Sequence, residues 1–135
     1  MRCAPIATFP HHRLQAYQVA LELVRLIHAT PIADAEMRKH ARSSVGSCAR
    51  NSAKRSGRRG RADKQRGYSI ARGELCEAVS AVQIDWALGG CSAERLRAVH
   101  QLAGRLNAMP APLTQQAAAR HRAVGQGPRH GVART

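Results

Sequence analysis

Apolar residues recur at spacings of three and four in four separate stretches of the chain, and no stretch sustains the alternation of a half-buried strand. The pattern predicts an all-α protein. A first helix is predicted over 11–30, with Leu14, Tyr17, Leu21, Val24 and His28 on one stripe and Pro31 ending it. The same segment carries a second apolar stripe, Ala16, Val19, Leu23 and Leu26, which is more apolar surface than one bundle neighbour covers. A second helix is predicted to begin near Ile32, with Asp34 and Glu36 in its first turn, where the helix dipole favours acids. Its inner stripe is Met37, Ala41, Ser44, Val45 and Cys48. Gly46, in mid-helix at a cost of roughly 1 kcal/mol relative to alanine, predicts a kink or a close approach.

A third helix is predicted over 62–88, with Tyr68, Ala71, Leu75, Val79, Val82 and Trp86 facing the core and Gly89-Gly90 closing it as a left-handed cap. On its opposite side Ile70, Ala81 and Ile84 form a second apolar strip, and Gly73 on that strip leaves room for another backbone. Ser92 is the predicted N-cap of a fourth helix whose Leu96, Val99, Leu102, Ala103 and Leu106 point inward, and Pro110 and Pro112 end it. The resulting expectation is an antiparallel up-down four-helix bundle over 11–109, a flexible N-terminus over 1–10 and a basic, disordered tail over 110–135 with at most a short helix around 114–124.

Composition fits one modest core: 44% of the 135 residues are hydrophobic but only 3% are aromatic, so that core is aliphatic. The charge balance changes the picture. Twenty-two Lys and Arg stand against 8 Asp and Glu, a net charge of +14, which points to a polyanionic partner and above all to nucleic acid. Twelve of the basic residues fall between positions 38 and 72, with Asp63 as the one acid among them. Lys39, Arg42 and Arg50 share a solvated face of the second helix, and the run NSAKRSGRRGR over 51–61 reads as a flexible basic loop. The loop and the helix ends that flank it make one end of the bundle, so the candidate nucleic-acid site is Arg42, Arg50, Lys54, Arg55, Arg58, Arg59, Arg61, Lys64 and Arg66. Release of counterions from phosphates, with the bidentate geometry of guanidinium, supplies the binding free energy. The competing reading is an Arg-rich loop that only keeps a small bundle in solution. Base-specific readout is not expected, because no recognition-helix motif is visible.

Other classes fall away. The chain has neither a secretion-signal pattern at its start nor the roughly 20 consecutive apolar residues of a membrane span, so a cytoplasmic protein is expected. The four cysteines are scattered without metal-site or dithiol spacing and read as reduced core thiols, and no metal or other cofactor is expected. The few acids never pair with a histidine at a spacing suited to acid–base work, and no phosphate-binding glycine loop follows a strand, so no catalytic residue is assigned. Glu74 and Glu77 read as a solvated face or as partners of Arg72 or Arg38.

LQAYQVALELVRLI in the first helix, the Ser44-Val45 step, AKRSGR, and KQRGYSIARGELCEAV in the third helix, taken in order, resemble a bacterial four-helix bundle family. That family includes proteins encoded in intervening sequences of large-subunit ribosomal RNA genes and the accessory variability determinant (Avd) of diversity-generating retroelements. The resemblance covers 9–109. At the end of the second helix the family's Asn, Ile/Leu, Ala, Glu, Gly run is replaced by Cys48, Ala49, Arg50, Asn51 and Ser52. The resemblance implies a non-enzymatic accessory protein that binds RNA or an RNA/DNA hybrid, works with a reverse transcriptase and assembles as a homo-oligomer similar to a barrel-like pentamer. Such an assembly would bury the extra apolar stripes, Val19, Leu23 and Leu26 on the first helix and Ile70, Gly73 and Ile84 on the third. Against this stands the reading of those stripes as ordinary bundle core. A second functional reading is an interaction scaffold of the intervening-sequence type, whose basic end docks an acidic protein surface and binds nucleic acid only nonspecifically.

Overall fold

The computed structural model describes residues 14–57 and 60–109, the side chains of 55–57 excepted. The expectations for 1–13 and for the tail over 110–135 lie outside the described residues. Four helices follow one another: α1 (Gln15–Ala29), α2 (Ala35–Gly57), α3 (Arg61–Ala87) and α4 (Ala93–Ala108). α1 packs on α2 and α4, and α3 packs on α2 and α4, so the chain forms an all-α up-down four-helix bundle with two unpacked diagonals. The longest seam joins α2 to α3, and both helices bury small residues. Ala41, Ser44 and Ala49 are buried on one side, Gly67, Ala71, Ala78 and Ala81 on the other, which lets two backbones come close without large side chains between them.

Local chemistry sets the helix ends. Asp34 caps α2, its carboxylate accepting the N–H of Met37 at 2.9 Å, and the Ser92 hydroxyl accepts that of Arg95 at 3.2 Å to start α4. At the end of α3, Gly89 takes φ +82° and donates to the Trp86 carbonyl while Gly90 donates to that of Asp85, the two bonds of a Schellman closure. The predicted inner faces of α2 and α4 are the observed ones: Ala41, Ser44, Val45 and Cys48, and Val99, Ala103 and Leu106, are buried.

Three expectations are corrected. On α1 the buried residues are Val19, Ala20, Leu23 and Ile27, whereas Tyr17, Leu21 and Val24 are half-buried and His28 is exposed. Val19 and Leu23, read from the sequence as interface, are therefore core of their own chain, and Leu26 packs against the same core from its edge. The physical reason is that α1 lies between two neighbours, α2 and α4, which together cover the stripe that one neighbour cannot.

On α3 the core stripe is shifted by one residue at its end. Trp86 is 43% exposed and Asp85 beside it is fully buried, because three backbone N–H groups wait there for a carboxylate. Ala81, placed from the sequence on the outer strip, is also core.

The basic loop is mostly helix. α2 continues through 51–57, and only residues 58–60 separate it from α3. Inside this stretch the Asn51 amide donates to the Ser47 carbonyl and the Ser52 hydroxyl to that of Cys48, both at 2.9 Å, so polar side chains that commonly open a loop here bond back along the helix. The close approach expected at Gly46 comes from within α2: a Cβ there would meet the Arg50 guanidinium at 3.4 Å.

Candidate nucleic-acid interface

α2 and α3 hold 23 and 27 residues, α1 and α4 only 15 and 16. At 1.5 Å per residue that is about 34 and 40 Å against about 22 and 24 Å. The excess lies at one end. The Tyr68 hydroxyl donates to the Met109 carbonyl at 3.3 Å, which sets the end of α4 level with Tyr68. The seven residues of α3 before Tyr68, roughly 10 Å of helix, run beyond that level together with the last turn of α2.

This projecting pair of helix ends carries the charge. Lys54, Arg61 and Arg66 are exposed, Lys64 is half-buried, and Arg50 is exposed at the base of the projection. Arg55 lies in the same last turn of α2. Arg58 and Arg59 fall outside the described residues. Arg72 adds a cation that the sequence reading left out of the site, its guanidinium lying over the Tyr68 ring with 5.6 Å to the centroid. Phosphates spaced along a strand can meet several of these groups at once because two antiparallel helices present them side by side.

Arg42 does not join them. It sits eight residues before Arg50, about 12 Å along α2, and its Nη2 donates to the His28 carbonyl at 3.4 Å. Its Nε is buried without a hydrogen-bond partner among the described residues. Arg38 likewise turns inward to the Ile32 carbonyl at 3.1 Å, and Glu77 is exposed and accepts the Ser44 hydroxyl at 3.4 Å, so of the two readings of Glu77 the solvated face holds.

Compared with protein-family models the chain matches none, and no curated protein matches it significantly. The arrangement of side chains therefore carries the functional argument.

The far end of the bundle is mixed in charge, its acids standing beside Arg38, Lys39, Arg95 and Arg97. Asp34, Glu36 and Glu94 occupy the first turns or caps of α2 and α4, where the helix dipoles favour them, and Asp85 is buried beside them. Sequence reasoning missed the role of Asp85; the signal available was an acid inside an apolar period four residues before Gly89.

The thiols offer no reactive centre at the core. Burial pushes Cys48 up to about 11, and burial with the nearby Asp85 carboxylate raises Cys91, so both are neutral thiols at physiological pH. Cys76 departs from the expectation of core thiols and is exposed. Among the described residues no three His, Cys, Asp or Glu side chains come together to hold a metal, and no helix is long and apolar enough to cross a membrane.

One further feature adjoins the basic end. Between the start of α1, the last third of α2, the first half of α3 and the end of α4 lies a cleft of about 240 Å3, mostly apolar, whose walls include Tyr68 and Arg72.

Proposed function

We propose that this chain is a non-enzymatic, nucleic-acid-binding accessory protein that grips structured RNA or an RNA/DNA hybrid with the projecting end of α2 and α3. The observation that supports the reading is the gathering of Arg50, Lys54, Arg61, Lys64 and Arg66 on helix ends that stand beyond the rest of the bundle, with Asp63 the one acid beside them. In this reading the protein works in the cytoplasm and, as the resemblance to the accessory variability determinant implies, holds template RNA and a reverse transcriptase together.

The experiment is binding of the purified protein to structured RNA, duplex DNA and an RNA/DNA hybrid across a salt series, with the Lys54→Ala/Arg61→Ala/Lys64→Ala/Arg66→Ala variant beside it. The variant is expected to bind more weakly to every ligand, and its salt slope to flatten by about 0.9 for each duplex phosphate it no longer neutralises. Unchanged affinity and slope, or no binding by the parent protein above low salt, would overturn the reading in favour of a scaffold that docks an acidic protein surface.

A homo-oligomer is part of the proposal. Ile70 and Ile84, 40% and 46% exposed, lie with Gly73 within about 60° of one another on α3, counting 100° per residue. A Cβ at Gly73 would meet nothing within 4 Å, so the outer face of α3 leaves space for a second copy to approach. The mass of the intact assembly tests this, with a pentamer expected; a monomer at micromolar concentration would remove it.

A further inference from the structure

We infer that the cleft beside the basic end receives a single unpaired nucleobase of the bound nucleic acid, an inference that rests on the reading just given. Leu75, Leu106 and Met109 give the cleft apolar walls, and Tyr68 gives it an aromatic one. Its volume of about 240 Å3 is below the roughly 300–1,000 Å3 of sites for drug-sized ligands, which suits one ring system rather than an extended cofactor. Among the described residues no acid lines it, and the one charged side chain in its wall is Arg72.

The occupant therefore combines an apolar plane with an adjacent negative charge. A nucleotide has that composition, and the cleft lies where a strand held by the basic end would deliver one. Tyr68 and Arg72 are two and six residues beyond Arg66 on α3, about 3 and 9 Å along the helix. Stacking of an unpaired base on aromatic and guanidinium groups is indifferent to base identity, because every base has a π face.

The two hydroxyls of the wall agree with that indifference, and its one amide belongs to Gln15, an exposed residue at the first position of α1. The Ser52 hydroxyl donates to the Cys48 carbonyl, and the Tyr68 hydroxyl donates to the Met109 carbonyl, so each has its proton committed within the chain. The cleft accordingly distinguishes unpaired from paired nucleotides. A fully paired duplex keeps its bases stacked and cannot fill it.

The test uses the full chain and two RNA hairpins that differ only in whether one 2-aminopurine is bulged or paired. The parent protein is expected to bind the bulged hairpin about tenfold more tightly, with a change in 2-aminopurine fluorescence confined to that hairpin. Ala16→Leu, which adds bulk in the cleft wall from a half-buried position, should abolish the difference and leave affinity for the paired hairpin unchanged. Arg72→Ala, at an exposed side chain that does not threaten folding, should reduce the difference severalfold. Equal binding of both hairpins by the parent protein, without the fluorescence change, would overturn the inference while leaving the basic end as a nucleic-acid site. Failure of the parent protein to bind either hairpin would instead overturn the reading on which it rests.

Discussion

The carboxylate of Asp85, fully buried near the end of α3, accepts the backbone N–H of Asp34 at 2.9 Å across 51 positions of sequence. The same carboxylate accepts the N–H of Ala33 at 3.3 Å and of Cys91 at 2.8 Å. One side chain thereby satisfies backbone donors at the entry to α2 and at the turn into α4, and clamps the end of the bundle opposite the basic site. Asp85→Ala would leave three donors without their acceptor, and at about 1–3 kcal/mol for a buried unsatisfied group the destabilisation should be about 3 kcal/mol or more. Asp85→Asn, which retains one carbonyl acceptor, should lose less. Urea unfolding midpoints of the two variants check the order.

Two glycines, one at this clamp and one near the other end of the bundle, should respond in opposite directions. A Cβ at Gly90 would collide with the Asp85 carboxylate, so Gly90→Ala should destabilise by about 1–3 kcal/mol. At Gly104, exposed within α4, a Cβ meets nothing within 4 Å. Gly104→Ala should therefore stabilise by about 0.5–1 kcal/mol through helix propensity. Thermal melts of the pair provide the measurement, and a stabilised Gly90→Ala variant would contradict the clamp geometry.

Arg42 and Lys64 should part company in binding. Both are half-buried and basic, but Arg42 is turned toward the end of α1 while Lys64 sits on the projecting part of α3. Lys64→Ala should flatten the salt slope of duplex binding by about 0.9, and Arg42→Ala should leave it unchanged. A titration of each variant at several salt concentrations decides between a localised site and charge spread over the whole face of α2.

The buried thiol of Cys48 makes stability depend on alkaline pH. Its native value of about 11 lies above the ordinary 9.0, so the unfolded chain loses its proton first. The stabilisation is complete below pH 9 and is lost as pH rises toward 11. Denaturant midpoints should fall over that interval in the parent protein and fall less in Cys48→Ala, compared with its own value at pH 8. Alkylation at pH 8 should modify Cys76 readily while sparing Cys48 and Cys91 until the chain is unfolded.

Much of this architecture was legible in the sequence because it is governed by short-range chemistry. The four apolar periods, the stop at Pro31, the cap at Ser92, the left-handed glycine at Gly89 and the inner faces of α2 and α4 all depend on residues within a turn or two of one another. The concentration of cations between 38 and 72 was equally plain. Its shape was not: Asn51 and Ser52 carry side chains that serve a loop or a helix, and their bonds to Ser47 and Cys48 exist only once α2 continues. That continuation turned a flexible connector into a projecting pair of helix ends and separated Arg42 from the rest of the basic group.

What the sequence alone determined was the number of helices, where most of them stop, and where positive charge accumulates. Tertiary structure decided which of two comparably apolar stripes of α1 faces inward, and that Asp85 rather than Trp86 takes the buried position at the end of α3. It also created the cleft of Tyr68 and Arg72 from four separate helices. The reason is the same in each case: a local period states that a face is apolar, but burial is a relation between elements, and only the neighbours that cover a face and the backbone groups that await a partner determine which residue goes inside.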